Sequence, residues 1–147
     1  MLSAGLVATA MRRLEWRVPQ LTVQPPGGAT LVNLPTIVFA GGAQTQTLTT
    51  TLLTQAVTIE ARPVSYAWDF GDGARLVTAK PGRPYPDLDV AHRYPRPGRF
   101  QVALATSFVG RFRAGDGPWR PIPGQLVLAS TPQPLRVVEA RPQLRGE

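Results

Sequence analysis

The chain has no cysteine, one histidine, one lysine and four serines, and no apolar run that approaches a membrane span. Without cysteine there is no disulfide framework, thiolate metal site or thiol nucleophile. The serines, Ser3, Ser65, Ser107 and Ser130, stand in no Gly-x-Ser-x-Gly elbow, which argues against serine hydrolysis. The lone histidine, His92, has no nucleophile or metal partner signalled for it. What remains is a globular composition of 147 residues, enough for one domain with a real core. The 14 glycines and 16 prolines call for many turns. The net charge of +7 is almost wholly arginine, since Lys80 is the single lysine.

Residues 1–18 admit two readings. Leu2, Leu6, Ala10, Leu14 and Val18 recur every four residues, which predicts a short amphipathic helix with Ser3 as its cap. Alternatively, the uncharged stretch before Arg12-Arg13, with small residues at Ala8-Thr9-Ala10, is the remnant of an export signal or membrane anchor. The basic leader of a signal peptide is absent from it.

After Trp16 the pattern changes to short runs rich in Val, Thr, Ile, Phe and Tyr between Pro/Gly turns. Strands are expected around Leu21–Val23, Thr30–Asn33, Thr36–Phe39 and the Thr-rich stretch 44–53. Val64, Tyr66, Trp68 and Phe70 alternate onto one face. Phe100, Val102, Leu104, Thr106, Phe108 and Phe112 alternate likewise, with Arg99, Gln101, Arg111 and Arg113 opposite. A strand that long predicts a bulge near Gly110, and Ala114-Gly115-Asp116-Gly117 predicts a hairpin leading to Trp119. With Leu126–Leu128 and Leu135–Val138 the count reaches nine or ten strands. The fold class is all-β, a sandwich spanning 19–140, with a loose tail at 141–147.

The most specific string is Trp68-Asp69-Phe70-Gly71-Asp72-Gly73. Its two aromatics bury on one face, Gly-Asp-Gly makes a tight turn, and Asp69 and Asp72 are suited to cap that turn's N–H groups. His92-Arg93-Tyr94 follows, and then Gly98-Arg99-Phe100-Gln101-Val102-Ala103-Leu104. In this order the three elements resemble the PKD (polycystic kidney disease) domain, over about residues 55–108. The resemblance implies an immunoglobulin-like β-sandwich used as a non-catalytic binding or spacer module of exported or cell-surface proteins, and a structural role for His92 beside Tyr94. The Arg-for-Lys bias resembles that of PKD proteins from high-GC bacteria. Two departures stand out: the insert between Gly73 and His92 is long, and Glu60-Ala61-Arg62-Pro63 replaces the family's acidic turn.

Among candidate sites, Asp69, Asp72, Asp87 and Asp89 offer carboxylates for a calcium ion, against turn capping or pairing with arginine. Six arginines (93, 96, 99, 111, 113, 120) meet one acid, Asp116, between positions 93 and 120. Arg99, Arg111 and Arg113 on one strand face would form a basic stripe suited to phosphate or carboxylate, against a purely solubilising role. Tyr85, in the loop Lys80–Pro86, and Trp119 are the candidate aromatic contacts. The expected function is a non-enzymatic adhesion or protein-interaction module at the cell surface or outside the cell. Its partner is a protein or an anionic cell-envelope polymer, it needs no cofactor, and it meets membrane only through an N-terminal anchor. Nucleic acid is disfavoured, because the aromatics are committed to the core. The alternatives are a carbohydrate-binding module, which needs Tyr85 or Trp119 flat and exposed, and a structural subunit of a surface appendage or secretion assembly.

Overall fold

The computed structural model describes residues 2–139; the 141–147 tail lies outside them. One helix precedes ten strands: α1 (Ala4–Arg13), β1 (Gln20–Gln24), β2 (Ala29–Leu31), β3 (Thr36–Gly41), β4 (Gln46–Leu52), β5 (Gln55–Asp69), β6 (Arg75–Thr78), β7 (Ala91–His92), β8 (Gly98–Ala114), β9 (Arg120–Ala129) and β10 (Gln133–Val138). A three-stranded sheet, β1-β3-β7, faces a seven-stranded sheet ordered β2-β10-β8-β5-β4, in which β6 also pairs β5 and β9 also pairs β8. All pairs are antiparallel except β2 with β10.

The large sheet is built on two very long strands, β5 of 15 residues and β8 of 17. Each changes its outer neighbour part-way along. β5 passes from β4 to β6, and β8 passes from β10 to β9. Two separate hydrophobic clusters lie on the same face of this sheet. Tyr66, Trp68, Phe70, Tyr94, Val102 and Leu104 fill the sandwich against the small sheet. Val57, Ile59, Ala61, Phe108, Phe112, Ile122 and Leu126 fill a second cluster, whose cover is α1 and Trp16. One extra residue keeps both halves of β5 facing inward. The register shifts between Pro63 and Ser65, so odd positions point in before the bulge and even positions after it. The sequence reading made Glu60–Pro63 a substitute turn; these residues lie inside the strand, and the proline is accommodated at the bulge. The irregularity expected near Gly110 falls between Phe108 and Gly110 in the pairing with β9.

The N-terminal helix is capped as expected, with the Ser3 hydroxyl accepting from the Leu6 N–H at 3.1 Å. Its buried face is different from the expected one. Val7, Ala8 and Met11 are buried, whereas Leu6 and Val18 are exposed. A strict spacing of four drifts about 40° per step on a helix of 3.6 residues per turn, so Leu2-to-Val18 cannot form one straight stripe. Met11 lies directly over Gly110, where an added Cβ would stand 2.8 Å from its sulfur. Its carbonyl accepts from the Trp16 indole at 2.8 Å. No described helix is long and apolar enough to cross a membrane.

Candidate functional site

The Trp68–Gly73 string forms the turn between β5 and β6, and its acids cap it. The Gly71 N–H donates to Asp69 Oδ1 at 2.9 Å, and the Ala74 N–H to Asp72 Oδ1 at 3.0 Å. His92 Nε2 lies 2.7 Å from Asp72 Oδ2, and its ring stacks on Phe70 and meets Tyr94 edge-on. Burial alone would raise the Asp72 pKa; the bonds from His92 and Ala74 and the attraction of His92 outweigh it and leave the carboxyl below its usual range. Tyr94, fully buried, donates its hydroxyl to the Phe70 carbonyl at 2.7 Å and tilts against Phe100, and burial pushes its pKa strongly upward. Gly98 opens β8 with Phe100 folded over it. These residues lock one end of the sandwich together and offer no reactive centre.

The four candidate calcium ligands are not brought together. Asp69 and Asp72 spend oxygens on the turn, Arg75 lies 3.3 Å from Asp69, Arg83 lies 3.6 Å from Asp89, and Asp87 closes a separate turn onto Pro84. Among the described residues no three His, Cys, Asp or Glu side chains gather as a metal site.

The arginines do share the outer face of β8, but not as one stripe. Arg99 and Arg111 are twelve positions apart, on the order of 40 Å along a strand. Arg99 instead stands directly opposite Arg136 on β10. Arg111 is opposite Glu60 and engaged by it twice, Nε to Oε1 at 2.9 Å and Nη2 to Oε2 at 3.0 Å. The guanidiniums of Arg111 and Arg113 lie 4.3 and 5.0 Å from the centre of the Trp119 ring. Trp119 is therefore a half-buried base for two cations rather than a flat exposed platform. Beside it runs an open cleft of about 750 Å³ whose polar lining is Glu60, Arg62, Arg111, Trp119 and Arg120. Arg113 Nε, close to the Trp119 ring, is buried without a hydrogen-bond partner among the described residues. Arg62 and Arg120 are exposed. Between the two basic ends, β8 presents only Gln101, Ala103, Ala105, Ser107 and Val109 outward.

Tyr85 is 75% exposed. Its backbone N–H donates to Gln24 Oε1 at 2.7 Å. With Pro25, Pro26, Leu34, Pro35 and Leu88 it lines an apolar groove of about 460 Å³ at the loop end of the small sheet.

The family model for the PKD domain matches residues 35–107. This is a PKD-domain protein. The match takes in β3, β4 and β5 as well as the turn, so it includes Val57, Ile59 and Ala61 of the α1-covered cluster, and it ends within β8 just before the Phe108/Gly110 irregularity. No curated protein and no solved structure matches the chain. PKD domains are typically extracellular, non-catalytic immunoglobulin-like modules with protein-interaction or adhesion roles. The sequence reading missed Glu60, Arg62 and Arg136 at the basic ends. Arg62 was hidden by the turn assignment, and the other two act through cross-strand pairing that only the register reveals.

Proposed function

We propose that this PKD protein is a non-catalytic adhesion module, displayed at the cell surface or released from the cell, whose outer sheet face holds an anionic partner. The observation that carries the reading is the distribution of arginine on that face. Arg99 and Arg136 stand at one end, and Arg62 and Arg113 flank Trp119 at the other, where the exposed Arg120 borders the same cleft from the opposite face of β9. Between them β8 carries no charge, and the one neighbouring carboxylate, Asp69 opposite Ala103, is paired with Arg75. An extended carboxylate-bearing partner, an acidic polypeptide or an envelope polymer, therefore lies along β8 and meets both ends. Arg111, already paired with Glu60, steadies Trp119 rather than meeting the partner.

Titration with polygalacturonate, with neutral dextran as the control, tests the reading. Binding that weakens with salt, falls about tenfold (roughly 1.4 kcal/mol) when Arg62 and Arg113 become Ser, and falls again with Arg99→Ser and Arg136→Ser, supports it. Binding indifferent to these changes overturns it. The exposed Tyr85 ring favours a second reading, recognition of an uncharged sugar ring on the proline-lined groove. Dextran binding that Tyr85→Ala abolishes would select this one.

A further inference from the structure

Among the described residues, every sheet edge but one is guarded against strand addition. β2 has three residues and β7 two, β1 runs between Pro19 and Pro25, β6 starts on Arg75, and β9 carries Pro121 and Pro123. The exception is β4, Gln46–Leu52, seven residues with no proline, glycine or charge. The whole stretch from Val18 to Ile59 is uncharged, in a chain of net charge +7. Thr47, Thr49 and Thr51 are exposed, the Thr49 hydroxyl lies 3.5 Å from that of Thr58, and no described backbone bond from outside the sheet engages them.

The hairpin geometry says which backbone groups are free. Leu52 and Gln55 flank a two-residue turn, so they form a hydrogen-bonded pair, and the pairs alternate from there. Leu52, Thr50, Leu48 and Gln46 therefore aim their N–H and C=O groups at β5. Thr47, Thr49 and Thr51 aim theirs at the open edge. Antiparallel pairing of two such edges with a twofold axis at Thr49 matches all of them. Thr49 meets its own copy, Thr47 meets Thr51 of the other chain, and Thr51 meets Thr47. The outer face then gains a ladder of Thr–Thr pairs, which is a favourable cross-strand combination. On the inner face, Leu48 and Leu52, already packed on the second cluster, meet the Thr50 and Gln46 positions of the other copy.

We propose that the protein self-associates through β4, edge to edge about Thr49, into a twofold dimer with one continuous sheet. A second copy is the occupant because the edge is self-complementary in hydrogen bonding and in side chain. The strand itself carries no charge in a strongly basic chain, and Arg17, whose backbone the Gln46 side chain holds, stands at one end of the edge, so no like charges oppose each other at the Thr49 axis. A single strand pair buries less than the roughly 1,600 Å² of a standard interface, so association is weak in dilute solution and is favoured where copies are held close together.

The absence of native cysteine gives a register-specific test. Across the axis the two Thr49 Cα atoms come to about 5.5 Å, within disulfide reach. The two Thr47 positions stay four residues out of register, on the order of 13 Å apart. Full-length Thr49→Cys is expected to oxidise to a covalent dimer at least about tenfold faster than Thr47→Cys, since only the former meets the geometry. Sedimentation of the unmodified chain across a concentration series should show reversible dimer. Thr49→Lys, which sets like charges on the axis, should remain monomeric with unchanged circular dichroism. Thr58→Lys, on the same face but inside the sheet, should still dimerise. Equal cross-linking of both cysteine variants, or a monomer at all concentrations, overturns the proposal.

Discussion

The turn that names the family contains two glycines with similar backbone angles and different surroundings, and this allows a controlled perturbation. Gly71 has φ +83° and Gly73 has φ +94°, both in the left-handed region. Replacing either with alanine incurs the Cβ penalty of that region, about 1–2 kcal/mol. At Gly73 nothing lies within 4 Å of the added methyl, so this is the whole effect. At Gly71 the methyl would sit 2.4 Å from the Gln101 carbonyl oxygen and 2.9 Å from its nitrogen. That neighbour is backbone of β8 and can yield only if the strand moves. Overpacking of this kind adds about 1–3 kcal/mol, which places Gly71→Ala at roughly 2–5 kcal/mol and Gly73→Ala at roughly 1–2. Urea unfolding of both variants, with the slope checked for constancy, measures the difference directly. In a domain of this size each kcal/mol moves the thermal midpoint by about 2–4 °C, so a melt gives an independent reading. Equal destabilisation by the two substitutions would refute the close packing of this turn on β8, and with it the argument that Gly71 is fixed by sterics.

The β4–β5 turn places Leu53 at φ +49° and Thr54 at φ +66°, so Leu53→Asn with Thr54→Gly should raise the thermal midpoint, by about 1–2 kcal/mol of stability; an unchanged or lower midpoint contradicts the strained turn. Arg99→Glu removes a directly opposed arginine pair and should stabilise by about 0.2–1 kcal/mol, with the gain shrinking in high salt, as followed by urea midpoints at two ionic strengths. Asp72 has a folded pKa below its unfolded value near 3.8. Its contribution to stability is therefore complete above that value and is lost as pH falls through the lower folded pKa. Asp72→Asn should lower stability near neutrality and flatten the loss below about pH 4; parallel acid profiles for the two proteins would contradict the assignment.

What was legible in the sequence was local. The alternation Tyr66-Trp68-Phe70 and Val102-Leu104 fixes an inner face because side chains alternate with period two. Gly-Asp-Gly after an aromatic pair marks its turn because few other residues adopt those angles. The Ser3 cap is a signal of the same kind. The parts that escaped depend on distant partners. The bulge at Pro63/Ser65 exists to keep Ile59 and Tyr66 on one face, and nothing within that segment announces it. Leu53-Thr54 carries none of the Asn or Gly that marks a type I′ turn. Arg111 read as a free cation until register placed Glu60, 51 residues earlier, opposite it. The helix face was misplaced because Val7, Ala8 and Met11 are chosen by the groove over Gly110 rather than by their own periodicity.

The two clusters also explain why the binding face can be so long. Strands average about five or six residues, and β5 and β8 are nearly three times that. In the sandwich half, the inner face is covered by β1, β3 and β7. In the other half that cover has ended, and Val57, Ile59, Phe108, Phe112 and Ile122 would face water. The helix replaces the missing sheet: Val7 and Met11 enter the cluster, and Gly110 clears space for the methionine. Because β5 and β8 run unbroken through both halves, neither cover can detach without exposing core that belongs to the same strands, so the halves are expected to unfold together. The inner face is thus occupied along its length by two different partners, which leaves the outer face, with arginine at both ends, open along the full length of β5 and β8.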